Sequence, residues 1–237
     1  NIFITGGFDA LINFNPESEE SELESFDDTD VYLAKLDSDG NHIWSFSFGG
    51  VGYQTTITLT TDRHGDILLT GLFNESITFD STDLNISFTA VGKNDIFIAK
   101  FTNDGDFLWA RQIGSNSWEY TRSLSVDSLD NIYVSGTFST ETDFDPSENT
   151  FEMTPKFGTD IFILKLDAEG DFLWSKSLEG DYDENSTVTL IDNDGNFCLT
   201  GFFHRHLDFD PSEEEFVITN NGYTDVFIAK YTENGEF

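Results

Sequence analysis

A 65-residue period constrains this chain more than any single motif in it. "TDVYLAKLDSDGNHIWSFSFG" begins at Thr29, "NDIFIAKFTNDGDFLWARQIG" at Asn94 and "TDIFILKLDAEGDFLWSKSLE" at Thr159. A fourth copy, "TDVFIAKYTENGEF", runs from Thr224 to Phe237. No gap disturbs the phase: Asp30, Asp95, Asp160 and Asp225 coincide, as do Lys35, Lys100, Lys165 and Lys230. Trp44, Trp109 and Trp174 each follow a lysine by nine residues. A fixed period of this size marks a repeat architecture, in which a unit too small to bury its own apolar face leans on its neighbours.

Each period reads as four strands. The first alternates, as in "TITLTTD" (56–62), "TRSLSVD" (121–127) and "STVTLID" (186–192). The second is "NIFITGGF", "DILLTGLF", "NIYVSGTF" or "NFCLTGFF". Runs of the type "DIFIAK" form the third and "FLWARQI" the fourth. All are rich in β-branched and aromatic residues and bounded by Asp, Asn and Gly. No window carries a helical stripe. The third strand is apolar on both faces instead of alternating, so it is expected to be covered on both sides. Gly6, Gly71, Gly136 and Gly201 recur in strand two, where they fit close approach of a neighbouring sheet or a bulge. The phased Trp is expected to cap the outer part of the same inter-sheet core.

Connection lengths set the topology. Strands one and two, and strands three and four, are joined by about four residues with Gly or Asn for the positive φ, as hairpins require. Strands two and three are separated by roughly 20 residues, and the step from strand four to the next strand one is medium and irregular ("GGVGYQ", "GSNSWEY", "EGDYDEN"). In an antiparallel meander this puts the tight hairpins at one end and the long, variable loops at the other, where binding usually sits. Four-stranded antiparallel units in series describe the blades of a β-propeller. The expected blades are approximately 1–50 (lacking its first strand), 51–115, 116–180 and 181–237 (lacking its fourth), about 3.6 repeats in one propeller region. Closed rings need roughly 4 to 8 blades, so the chain reads as an excerpt of a longer propeller or an open, curved array.

The units resemble the bacterial β-propeller repeat called SBBP. The resemblance rests on "NIYVSGTF", then "TDIFILKLDAEGDFLW", then a Gly-rich turn leading to "SLSVD", and it extends over the whole chain. The "DFDP" insert after strand two resembles versions found in secreted and surface proteins of Bacteroidota, often exported by the type IX system. The resemblance therefore implies an extracellular or cell-surface location in a bacterium. It brings no catalytic residues, because that family shares no catalytic set.

Composition narrows the partners. Forty-five acidic residues against eleven basic ones give a net charge of −34, which opposes binding to nucleic acid and to anionic lipid. It favours solvent cations, Ca²⁺ in particular, or a salty medium. Aromatic residues make up 15%, too many for a disordered acidic tail. No apolar run approaches the ~20 residues of a membrane helix. One cysteine, Cys198, excludes an intrachain disulfide and reads as a buried, inert thiol.

Several clusters are candidates for chemistry. In "DFDPSENT" and "DFDPSEEE", Asp143 and Asp145, and Asp208 and Asp210, flank a Phe. On an extended segment both carboxylates fall on one side, as Ca²⁺ ligands or as solvent-facing residues of a short strand whose Phe plugs the blade edge. The corresponding stretches 13–20 and 78–85 drop one or more of the aspartates. "DSDGN" (37–41) and "DNDGN" (192–196) look like the start of an EF-hand loop, but Phe48 and Phe203 stand where the twelfth-position Glu belongs, so they read as hairpin turns. The phased lysines and Asp62, Asp127 and Asp192 all lie at the tight-hairpin end, where a recurring Lys–Asp contact is expected. His204 and His206 break the repeat without an evident third metal ligand. Asn74, Asn85 and Asn185 lie in N-x-S/T sequons, which mean little in a bacterial protein. Tyr53, Trp118 and Tyr182, in the four-to-one turns, are the aromatics placed to stack on a ligand.

No nucleophile elbow or phosphate loop is present, and carboxylates are too abundant for any pair to signal a glycosidase. The expected function is a non-catalytic extracellular module that binds a protein or glycan, or serves as a scaffold beside other domains of the same chain. No cofactor is required, Ca²⁺ being the one candidate. The alternatives are a polysaccharide hydrolase or lyase, and a structural subunit of a surface filament.

Overall fold

The computed structural model describes residues 1–15, 18, 21–80 and 85–237. Among them there is no α-helix, and the regular structure consists of β-strands. The chain divides into two compact units, Asn1–Gln112 and Ile113–Phe237.

The first unit holds β1 (Ile2–Phe8), β2 (Leu11–Asn13), β3 (Glu22–Glu24), β4 (Asp30–Leu36), β5 (His42–Phe48), β6 (Gln54–Thr61), β7 (Ile67–Phe73), β8 (Ser76–Asp80), β9 (Asn85–Thr89), β10 (Asp95–Phe101) and β11 (Phe107–Ile113). They form a sheet β1-β4-β5 and a four-stranded sheet β6-β7-β10-β11. The pairings of β1 with β4, β4 with β5, β6 with β7 and β7 with β10 are antiparallel. Val31 and Leu33 of β4 and Phe48 of β5 share one apolar cluster with Ile67 and Leu69 of β7 and Phe97 of β10. Trp44 packs against it, as expected of the phased Trp.

The second unit repeats the plan with β12 (Glu119–Val126), β13 (Ile132–Phe138), β14 (Thr142–Asp143), β15 (Glu152–Met153), β16 (Asp160–Leu166), β17 (Phe172–Leu178), β18 (Asn185–Ile191), β19 (Phe197–Phe203), β20 (His206–Asp208), β21 (Val217–Thr219) and β22 (Asp225–Tyr231). Its sheets are β12-β13-β16-β17 and β18-β19-β22, both antiparallel. Ile161 and Ile163 of β16 meet Phe197, Leu199 and Phe227 of the second sheet in one core, with Trp174 at its margin. Burying each such side chain contributes roughly 1.5–3 kcal/mol, so the faces between sheets dominate stability.

β10 and β16 are buried along their whole length, as the non-alternating sequence requires. β22 differs: Val226 and Ile228, in phase with the fully buried Ile161 and Ile163, are 81% and 78% exposed. The phased glycines answer to contacts inside the sheet. A Cβ on Gly136 would overlap the Tyr120 carbonyl and the Phe162 ring, and the ladder opposite slips between Thr121 and Ser123. Gly71 and Gly201 repeat both features. Close approach and bulge therefore occur together, and the approaching groups come from strands one and three of the same sheet.

The connections between strands two and three are not plain loops. They fold back as two-stranded ribbons, β2 with β3, β8 with β9, β14 with β15 and β20 with β21. Residues 16, 17, 19, 20 and 81–84, part of the first two acidic inserts, lie outside the described residues. Phe79, Phe144 and Phe209 are buried and plug the sheets from their ribbons. Cys198 is half-buried rather than sequestered.

At the tight end, each Asp closes its own hairpin. Asp127 Oδ1 accepts the N–H groups of Leu129 and Asn131 at 2.8 and 2.9 Å. Asp37 and Asp192 do the same within "DSDGN" and "DNDGN", which are hairpin turns. The Lys–Asp contact is present inside the sheet: Lys100 Nζ lies 2.9 Å from Asp62, Lys165 3.9 Å from Asp127 and Lys230 2.7 Å from Asp192. Lys35 and Lys165 also reach the hairpin of the next sheet, donating to the carbonyls of Asn103 at 2.8 Å and Glu233 at 3.1 Å.

Candidate functional site

The turns from strand four to the next strand one are held in the same way in three places. A side chain at the end of strand two grips the backbone of the turn: Asn74 Oδ1 accepts the Tyr53 N–H at 2.6 Å, Ser139 Oγ accepts the Trp118 N–H at 3.4 Å, and His204 Nδ1 meets the Asp183 carbonyl at 2.9 Å. These grips are one 65-residue period apart. They leave the turn aromatics outside: Tyr53, Trp118 and Tyr182 are 41%, 38% and 50% exposed. Tyr53 belongs to the first unit, and Trp118 and Tyr182 to two successive turns of the second.

Arginines attend the two aromatics of the second unit. The Trp118 ring lies parallel to Tyr120 at 6.0 Å, and the Arg122 guanidinium lies over Tyr120 at 5.5 Å, so Trp118, just before β12, and Tyr120 and Arg122 within it form a ladder of alternate residues. Arg205 lies over Tyr182 at 4.9 Å. His204 is edge-on to Tyr223 at 5.2 Å and 6.3 Å from Tyr182. Aromatic faces with guanidinium groups beside them offer a platform and hydrogen-bond donors together.

The two histidines serve different neighbours. His204 Nε2 meets Thr224 Oγ1 at 2.9 Å, while His206 Nδ1 meets Thr219 Oγ1 at 2.8 Å. In the acidic inserts, Asp143 Oδ1 accepts the N–H groups of Asp145 and Phe151, and Asp208 Oδ1 those of Asp210 and Phe216. Asp145 and Asp210 each accept from the Ser two residues on. Asp208 and Asp210 share a cleft with Glu179, Glu213 and Lys156. Among the described residues no group of three or more His, Cys, Asp or Glu is placed to hold a metal ion.

One feature of these turns escapes a reading of the sequence by type. Gln54 and Glu119 open β6 and β12, Glu184 directly precedes β18, and each is 0% exposed. Burial pushes the Glu184 carboxyl up to about 8, with nearby Asp160 adding to it. Burial likewise raises Asp160 to about 6. A polar residue in a turn looks like surface; the common phase is the signal that reveals it as structural.

The SBBP family, described as a β-propeller repeat, matches residues 108–144, from β11 through the Trp118 turn to β14. An uncharacterized WD repeat-containing protein of Acanthamoeba polyphaga mimivirus is 26% identical over 227 residues, covering 83% of this chain and 16% of that protein. The chain thus spans about a sixth of this relative's length. A protein of unknown function from Bacteroides caccae, solved as a crystal structure, aligns over 86% of this chain and 69% of its own, with 10% identity and a TM-score of 0.33. The antiparallel sheets are consistent with the blades of a β-propeller, and the repeat match falls on residues 108–144; no helix among the described residues is long and apolar enough to cross a membrane.

Proposed function

We propose that this chain is a non-catalytic β-propeller module of a larger secreted or cell-surface bacterial protein, and that it binds a glycan on the turns carrying Trp118 and Tyr182. The supporting observation is the pairing of exposed aromatic rings with arginines, the Trp118–Tyr120–Arg122 ladder and the Arg205–Tyr182 stack, in a chain of net charge −34. The apolar face of a sugar ring stacks on such platforms, and a guanidinium takes its hydroxyl or carboxylate groups. Tyr53 offers a similar exposed ring in the first unit. Carboxyls with values near 6 to 8 suit a glycosidase acid, but Asp160 and Glu184 are fully buried, out of reach of a glycosidic oxygen.

The test is a glycan array followed by titration calorimetry on any hit. Trp118→Ala and Tyr182→Ala are each expected to weaken binding roughly tenfold, about 1.4 kcal/mol, with no change in fold. Absence of any bound glycan, or undiminished affinity in both variants, rejects the assignment.

A further inference from the structure

Burying a polar head group is tolerated where its protons and lone pairs find partners. Gln54 and Glu119 meet this demand, and Glu184 meets it only in part. Gln54 accepts the Gly50 N–H at 3.4 Å and donates its amide protons to the carbonyls of Val51 and Ser76, both at 2.9 Å. Glu119 accepts the Ser115 N–H at 3.0 Å and the Ser115 hydroxyl. At Glu184 the place of that serine is taken by Gly180, which has no hydroxyl, and the carboxyl group lies over Gly180 where a Cβ would stand. Oε1 accepts the Tyr182 N–H at 3.3 Å, and Oε2 has no hydrogen-bond partner.

The surroundings are acidic on the carboxyl side. From β16 comes Asp160, fully buried, whose two oxygens accept the N–H groups of Gly180 at 3.2 Å and Lys156 at 2.7 Å. Asp183 bears on Glu184 from the turn itself, and Glu179 and Lys156 bear on Asp160. From the β19–β20 connection, His204 holds the Asp183 carbonyl, Arg205 covers the Tyr182 ring, and the His206 carbonyl accepts the Asp181 N–H at 3.2 Å. His204 and Arg205 thus engage the turn's backbone and Tyr182, while Glu184 faces carboxylates.

We propose that Glu184 is carried in the folded chain as a neutral carboxylic acid whose O–H donates into the turn 180–184, as the Gln54 amide does in its own turn, and that this proton fastens the turn presenting Tyr182. Tyr182 as a ligand contact rests on the reading above; the fastening does not. A neutral acid has the donor that a buried carboxylate lacks, and it removes the charge beside Asp160. The raised value for Glu184, set first by burial and then by Asp160, agrees with this.

The consequence is a pH dependence of definite sign. The unfolded chain releases this proton near 4.5 and the folded chain near 8. Between these limits the folded state binds the extra proton, so stability falls as pH rises and levels off above about 8. Glu184→Gln keeps the shape and supplies a permanent donor. Its melting temperature is expected to exceed that of the unaltered chain by a margin that opens between the same limits and stays constant above them. A margin that does not vary with pH, or a variant that melts lower throughout, overturns the proposal. Should the variant fail to fold, two measurements on the unaltered chain decide. A protonated carboxyl band in the infrared at neutral pH, and hydrogen-exchange protection of residues 180–184 that drops as pH passes about 8, are expected. A carboxylate-only spectrum with unchanged protection overturns it. Neither readout involves a glycan, so failure of glycan binding leaves this result standing.

Discussion

Lys100 and Lys230 occupy the same phase of the repeat, yet their surroundings give them different weights. The Lys100 side chain is 10% exposed and Asp62 is 0%, with 2.9 Å between them; for Lys230 and Asp192 the values are 58% and 32%. Burial pushes the Asp62 carboxyl up, but the Lys100 ammonium and the Asp66 N–H outweigh it and hold the group below the usual range. Removing one member of a buried pair strands the other, at a cost of about 3–5 kcal/mol, whereas an exposed pair contributes little. Lys100→Met is therefore expected to lower unfolding free energy by about 3 kcal/mol in a denaturant titration, and Lys230→Met to leave the midpoint in place. Equal effects would show that burial is not what gives the Lys100 pair its value. Because the Asp62 carboxyl is depressed, its contribution is present at neutral pH and is lost as pH falls through the depressed value. The common spacing of Lys and Asp announced the contact from sequence alone. It did not announce the unequal burial, because cover comes partly from chain far away, as when Lys165 reaches Glu233.

The same division between local pattern and distant cover appears in the strands and their connections. The four main strands of each period were legible because their apolar runs are long and bounded by Asp and Gly turns. The ribbons were legible only as a short strand whose Phe plugs the blade edge, without its partner strand. β14 and β15 are two residues each, too short to show a period, and beside their ladder Phe144 is docked between Phe138 and Phe162. The sequence nonetheless held the reason, in the Phe flanked by aspartates, with the plug and the metal both derivable from it. Phe144 is 0% exposed, and its loss leaves a cavity where ribbon meets sheet. Phe144→Ala is expected to cost about 3–5 kcal/mol and to make residues 140–155 the first site of proteolytic cleavage. A loss under about 1 kcal/mol, within the range of surface substitutions, would mean that the ribbon is held by its ladder and turns instead. The buried row Gln54, Glu119 and Glu184 was missed for the opposite reason: each residue type belongs in a turn, and only the sheet behind the turn makes it internal.

A chain with net charge −34 repels itself wherever it folds, and its cores must overcome that repulsion. Two devices in the structure reduce it. Carboxylates of the tight turns are spent on backbone N–H groups, as at Asp127 and Asp167, and the phased aspartates close the loop before strand three, Asp30 accepting the Phe26 N–H at 2.7 Å and Asp225 the Asn221 N–H at 2.8 Å. The exposed remainder is left to the medium. Salt shortens the range of such repulsion to ~10 Å at 0.1 M, so the melting temperature is expected to rise with NaCl and then level off. The acidic inserts decide whether Ca²⁺ does more than this. One oxygen each of Asp143 and Asp208 is committed to the backbone, and the described acids do not converge on a point. At matched ionic strength, CaCl₂ and NaCl are therefore expected to give the same melting temperature, with EDTA changing nothing. A specific site at a hundredfold excess of Ca²⁺ over its Kd would add about 2.7 kcal/mol beyond screening. An increment of that size, abolished by Asp210→Asn, would put the ion on the remaining carboxylate oxygens of the β20–β21 ribbon and replace screening with coordination.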